Sequence, residues 1–510
     1  EGLDICEKDL HVRDLPKDCL ERVKKPSELF KKLDEWDIDS LVIPHGSSWG
    51  NTSPPMASWD NQLDSSNHNQ KYQKLIELYS GHGNTEEYRP WRSFNLNENV
   101  YSCPQPSTDF IPYCFQSGEI IRERCRVSAG SSRECDARAN LARDSYVKSN
   151  PFGILTVPNY NSKEWLDSGQ CLDCFLPAFD YRPGSSIQYA LALRNFDDLE
   201  TEAYRFGFIG SSDNHGSRPG SGYKEIDRII NSDSKYNSSG PLANNSAETQ
   251  SFSGIPKTQE VDIDELMKTR TGPPQLERIS SFLYTGGLVA THSTAKNRDS
   301  IWESLNNREV YATSGDRILL WFDVINHPSK QTKPMGSEFE LSVNPKFRVR
   351  AVGAQKQLPG CSTLEEINKE TIDRLCKGEC FNPSNERKLI TRIEVVRIRP
   401  QAYSGEPIEN LIEDPWKEFL CEPSPEGCEV EFTDENFTNA NREIIYYVRG
   451  IQEPTLAINA SNLNCDRDET GKCLRVNMCG DIQGQGEGDC LSEIEERAWS
   501  SPIFIKPTED

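Results

Sequence analysis

Five side chains of the types that bind transition metals stand in or just beyond short apolar runs. His45 follows "LVIP", Glu77 lies within "LIELYSG" with His82 just beyond it, and Asp213 and His215 follow "FGFIGSS". Imidazole nitrogens and carboxylate oxygens suit Zn, Mn or Fe, and two or three such divalent ions can activate water and neutralise a phosphate-like leaving group. The chain holds seven histidines, and His292, after "GGLVAT", is the fourth of them to follow such a run. Side chains at the C-terminal ends of parallel strands converge on one face of a barrel, so these residues are expected to meet there. Glu77 strengthens the set, because a carboxylate inside an apolar strand is costly unless paired or bound to a cation. Singly, each histidine reads as a hydrogen-bonding turn residue; together with the two carboxylates they read as a metal centre, with His292 placed to protonate a leaving group. His11, His68 and His327 lack that context and read as surface residues.

The elements that must position these groups alternate. Residues 27–44 carry Leu29, Phe30, Leu33 and Trp36 at helical spacing, then an apolar run at 41–43. Further short runs at 74–79, 153–157, 206–210 and 286–291 each end in a polar or Gly-rich turn, with helical candidates at 135–148 and 297–309. This order predicts an α/β layer or barrel over residues 1–315. About five strands are legible there, fewer than the roughly eight of a closed parallel barrel. Residues 231–256, rich in Ser, Asn and Gly, read as a solvated loop. Past Gly315 the segments "RILLWFDV", "KFRVRAV", "LITRIEVVRI", "EVEFT", "EIIYYVRG" and "PIFIK" alternate apolar and polar residues, which predicts a disulfide-rich antiparallel β-sandwich over 316–510.

Composition narrows the class. The net charge of -23 over 510 residues argues against nucleic acid or an anionic membrane as the main partner. No apolar stretch approaches the ~20 residues of a membrane span. Seventeen cysteines, in close sets such as Cys125 and Cys135, Cys376 and Cys380, and Cys421 and Cys428, point to disulfides and an oxidising compartment. Their odd number leaves at least one thiol free or paired outside the chain. Cys171 and Cys174 form a C-x-x-C that reads as a structural disulfide in this setting. Glycosylation acceptor patterns occur at Asn51, Asn237, Asn244, Asn436 and Asn459. With the start at Glu1 and no signal-peptide pattern, the chain reads as a processed or partial secreted product, extracellular or periplasmic. In "NCDRDETGKC", Asp466 and Asp468 precede Gly471 at a spacing that suits one Ca²⁺, although the later Glu of a full calcium loop is missing. Neither a G-x-x-x-x-G-K-S/T phosphate loop nor a G-x-S-x-G nucleophile elbow is present.

The stretches "FGFIGSSDNHGSRPG", "GGLVATHSTAKNRDSIWESLNNREVYATSGDRILLWF" and "RAWSSPIFI" resemble the family called domain of unknown function 3604, which in turn resembles the polymerase and histidinol phosphatase (PHP) superfamily of distorted β/α barrels with clustered metal ions. "LVIPHGSSWG", "IELYSGHGNTE" and "CLDCFLPAFDYRPGSSIQYALAL" extend the resemblance over most of the chain. It implies ligand roles for His45, Glu77, His82, Asp213 and His215, and a place near the site for His292. Arg92, Arg218 and Arg308 are candidates to hold an anionic substrate, free or glycan-linked, since guanidinium matches phosphate and sulfate. The early Asp-x-His-x-His stretch and the following Asp-His pair of such proteins are absent; "DLHVRD" at 9–14 has Arg13 where the second histidine would stand. The implied fold is therefore a PHP-like barrel lacking its N-terminal part, completed by a separate N-terminal fragment. The implied activity is metal-dependent hydrolysis of a phosphoester or related anionic ester. The rival is a secreted structural or binding glycoprotein on a degenerate, non-catalytic version of the fold.

Overall fold

A computed structural model describes residues 3–44, 58–80, 83–97, 100–150, 152–160, 162–175, 183–197, 203–212, 254–269, 286–361, 368–376, 381–458, 465–476 and 491–508. Within them the chain is mostly strand, in several sheets, with seven α-helices. The helices are α1 (Pro26–Trp36), α2 (Tyr113–Val127), α3 (Ser132–Lys148), α4 (Ile187–Ala192), α5 (Ile263–Thr269), α6 (Arg298–Asn306) and α7 (Lys369–Cys376). Their starts follow local chemistry. Ser131, Ser186 and Asn297 each accept a backbone N–H of the first turn of α3, α4 and α6, respectively. α2 and α3 are joined by a tight turn and clamped by the Cys125–Cys135 disulfide.

The strands near the expected site are β1 (Leu75–Ser80), β2 (Gly207–Gly210), β3 (Leu288–Thr291) and β4 (Val310–Thr313). β1 is buried along its whole length and pairs in parallel with β2, Leu75 opposite Gly207 and Tyr79 opposite Gly210. Gly210 is required there: a Cβ would lie 2.7 Å from the carbonyl oxygen of Leu288 and 3.0 Å from that of Thr313. The C-terminal half supplies β5 (Leu319–Val324), β6 (Glu338–Leu341), β7 (Lys346–Val352), β8 (Ile390–Ile398), β9 (Ile412–Leu420), β10 (Cys428–Thr433), β11 (Ile444–Gln452), β12 (Arg497–Ser500) and β13 (Ile503–Pro507). One sheet runs β6-β13-β11-β12-β4-β3, with β8 also on β11 and β9 on β8; another is built on β5, β7 and β10.

The two faces of β11 explain the packing. Ile444, Tyr446 and Val448 join Leu320, Phe322, Phe347 and Val349 in one core shared by the two sheets. Ile445 and Tyr447, pointing the other way, join Ile76, Leu78, Phe206, Phe208 and Trp499 in a second core that reaches into the N-terminal half. A strand buried on both faces reads as a near-continuous apolar run, which is what "IIYYV" is.

The expected β/α barrel is not what forms. Of the five runs assigned to it, only 75–80 and 207–210 lie in parallel register. Residues 41–43 adopt no regular strand. "GILT" folds as a short 3₁₀ turn, Gly153–Thr156, and "LVAT" (β3) runs antiparallel to β4. No barrel closes among the described residues, which form several small sheets instead. Short apolar runs do not by themselves distinguish a strand from a buried turn, nor a parallel strand from an antiparallel one. β3 and β4 instead extend a sheet whose other strands all lie beyond residue 315.

Candidate functional site

Parallel pairing brings the C-terminal ends of β1 and β2 to one edge, and Glu77 and Ser211 meet there. Glu77 is 4% exposed and accepts a hydrogen bond from the Ser211 hydroxyl. The Ser211 amide donates to the Tyr79 carbonyl at 2.9 Å, and the Ser211 carbonyl accepts from Gly287 at 2.7 Å, which starts β3 against the end of β2. Gly286 makes that turn with φ 73°, where a Cβ would lie 2.7 Å from the carbonyl oxygens of Ser211 and Ser212. From β3 the edge continues through Leu288 opposite Thr313, and Thr313 opposite Ala498 on β12. Ser314 binds the β12 backbone on both sides, donating to the Arg497 carbonyl at 2.9 Å and accepting from its amide at 2.9 Å. An aromatic wall of Tyr79, Phe175 and Trp499 closes the apolar side, with Trp499 5.6 Å from each of the other two rings.

Behind the wall lies a buried ionic layer. Arg449 on β11 donates to Asp414 through both terminal nitrogens at 2.6 Å, to Glu394 at 3.0 Å and to Glu86 at 2.6 Å. Glu86 also accepts from the Tyr447 hydroxyl at 2.6 Å and from the Trp499 indole. Gln188 on α4 ties the layer to the N-terminal half, donating to Asp414 at 2.6 Å and Tyr447 at 2.8 Å. Burial raises the Glu86 carboxyl from an ordinary value of 4.5 to about 7, against the pull of Arg449. Asp414 and Glu394 are held below their usual range, because the attraction of Arg449 outweighs the cost of burying them. Two residues along β12 from Trp499, on the same face, stands Arg497. Its guanidinium lies 3.7 Å from the centre of the Phe175 ring, and its Nε has no hydrogen-bond partner.

Several residues singled out in the sequence lie outside the described residues: His45, His82, Asp213, His215, Arg218, Asn51, Asn237, Asn244, Asn459 and Cys380. Glu77 lies inside the apolar strand β1, as expected. His292 is not where expected. β3 begins beside Ser211 and carries His292 to its far end, roughly 13 Å away at ~3.3 Å per residue. There its ring packs near Tyr311 and Trp321 and Nε2–H donates to the Leu320 carbonyl at 2.8 Å. Arg308 is at that far end too, stacked on Phe504 and donating to the carbonyls of Gly336 at 3.1 Å and Arg205 at 3.4 Å. Arg92 is exposed beside Tyr88. Asp466 pairs with Arg475 at 2.7 Å, and Asp468 accepts from the Thr470 amide and hydroxyl and the Lys472 amide, closing a turn inside the Cys465–Cys473 disulfide. Asn436 is exposed. His68 departs from its surface reading: it is 2% exposed, packed on Tyr204 and Phe206, and burial pushes it down to about 4.

Six disulfides close within the described residues, among them Cys125–Cys135, Cys421–Cys428 and Cys171–Cys174. The two described clusters with three potential metal-ligand atoms, at Cys171, Asp173 and Cys174 and at Asp167, Cys465 and Cys473, are each built on such a disulfide and offer no thiolate. No described helix is long and apolar enough to cross a membrane. The ionic layer was missed in the sequence: "YYVRGI" and "ERAWS" each set a charge against apolar strand residues, the same signal that marked Glu77, but "NTEEYR", which carries Glu86, has no apolar run around it.

Comparison with known proteins places residues 187–358 in similarity to the family described as Protein of unknown function (DUF3604). A protein named "Uncharacterized protein" from Chlamydia muridarum (strain MoPn / Nigg) is 37% identical over 62 residues, 12% of this chain and 9% of that protein. The matched stretch is thus a small part of either.

Proposed function

We propose that the chain is a secreted metal-dependent hydrolase of phosphoesters or related anionic esters. The observation that carries this reading is the meeting of Glu77 and Ser211 at the shared end of β1 and β2. His82 follows β1 by two residues in sequence, and Asp213 and His215 follow Ser211 by two and four. A buried carboxylate that reaches a hydroxyl just beyond the neighbouring strand suits a metal ligand, and an outer partner such as Ser211 fixes its orientation. The ligand set is Glu77 with His45, His82, Asp213 and His215. The ions would supply an activated water and neutralise charge on the leaving group. Of the described residues, Glu77 holds the ions, Ser211 aims Glu77, and the Tyr79, Phe175 and Trp499 rings keep water from that side. The motif resemblance to PHP proteins supports this chemistry without their barrel. The disulfides fit an oxidising compartment.

Turnover of p-nitrophenyl phosphate and p-nitrophenyl sulfate by the purified chain, before and after chelation, tests the proposal. Activity that falls on chelation, returns with Mn²⁺ or Zn²⁺, and drops by roughly 10–100-fold in Ser211→Ala is expected. No turnover with any metal favours the non-catalytic glycoprotein.

A further inference from the structure

Arg497 is a buried cation that the fold leaves unmatched. Its side chain sits on an inner strand with only 7% of the residue exposed. A guanidinium carries five N–H donors and stays charged in proteins. Burial without acceptors is therefore costly, and a residue in that state calls for an explanation. The means of satisfying it are close. Glu87, 9% exposed, exerts the largest attraction of the carboxylates acting on Arg497, yet one of its oxygens is committed to the Phe175 amide at 3.0 Å and the other has no donor. Phe175 holds both groups in place, the arginine by its ring and the glutamate by its backbone. Glu86, Glu394 and Asp414 are spent on Arg449.

The position is also informative. Arg497 opens β12 beside Ser314, on the strand next to Thr313, and so lies along the edge that starts at Glu77 and Ser211. Its neighbour Trp499 touches Tyr79, two residues from Glu77 on β1. A planar fork of donors, fixed by its contact with the Phe175 ring, matches two oxygens of a tetrahedral oxyanion.

We infer that Arg497 binds the phosphate or sulfate group of the substrate, a positioning residue supplied by the last strands of the chain. This rests on the proposed hydrolysis for its role, but the binding itself does not need the metal. The Glu87 carboxyl competes with an anion for Arg497, so Glu87→Gln is expected to tighten binding.

The experiment is titration calorimetry of the full chain, metal-stripped and in a chloride buffer, with inorganic phosphate and with sulfate. Saturable binding is expected, at least tenfold weaker in Arg497→Met, intermediate in Arg497→Lys, and several-fold tighter in Glu87→Gln. The arm with the stronger binding names the ester class. Unchanged affinity in Arg497→Met, or no binding of either anion by the wild type, overturns the inference. If Arg497→Met does not fold, Arg497→Lys and Glu87→Gln decide it, and anion-dependent rise of the wild-type Tm is read alongside. Anion binding without metal uptake or turnover would sink the hydrolase reading and leave this one standing.

Discussion

Arg449 and Arg497 stand on neighbouring strands, facing the same side of one sheet, with Arg449 opposite Trp499 two residues from Arg497. Both are buried. Arg449 meets three carboxylates, whereas Arg497 meets an aromatic ring and leaves Nε without an acceptor. The sequence that built the first arrangement had the same residue types to hand for the second, since Glu87 is adjacent to Glu86 in the chain. The contrast separates a charge that belongs to the architecture from one that waits for something outside it. Arg449 fastens the N-terminal half to the sheet through an ion pair with Glu86, while Arg497 reaches that half only through the Phe175 ring.

The largest expected effect follows from breaking the saturated member. Arg449→Met leaves Glu86 and Asp414 buried without their cation and Glu394 with Arg392 alone, at a cost of about 3–5 kcal/mol, measured by urea unfolding. A loss below 1 kcal/mol would show that the layer does not hold the halves together. A smaller effect is expected from protons. The folded Glu86 carboxyl titrates near 7 and the unfolded one near 4.5, so the native state binds the extra proton, and stability falls as pH rises from about 4.5 through 7. Asp414 and Glu394, depressed in the native state, act in the opposite sense and withdraw stability as pH falls below the ordinary carboxylate range. Tm should therefore be highest in mildly acidic buffer, and Glu86→Gln should flatten its decline toward pH 8. An identical decline in Glu86→Gln would place the titration elsewhere. The smallest effect is expected at the unmatched member: Arg497→Met should leave the unfolding free energy within about 1 kcal/mol of wild type or raise it, since the contact with the Phe175 ring is lost but no ion pair is. A loss as large as that of Arg449→Met would erase the contrast.

Part of this was legible in residue order. The helices over 132–148 and 298–306, the strands at 75–80 and 207–210, and the alternating strands beyond Gly315 follow from periodicity and caps. Glu77 was legible because one carboxylate interrupts an apolar strand. The barrel was misread because "LVAT" and "GILT" have the composition of parallel strands while their partners, fixed by long-range packing, make one antiparallel and the other a turn. His292 went with it: direction along β3, which sequence does not encode locally, decides whether that ring lies beside Ser211 or at the opposite end. The partnership of Glu86 with Arg449 spans more than three hundred residues of chain, and no local pattern announces it.

The most direct measurement is the metal content of the wild-type chain and of Glu77→Gln, by mass spectrometry after dialysis against Zn²⁺ and Mn²⁺. Two or more bound ions per wild-type chain, with at least one lost in a folded Glu77→Gln protein, is the predicted result. Equal metal content in the two proteins, or none in either, would contradict a metal centre at the shared end of β1 and β2.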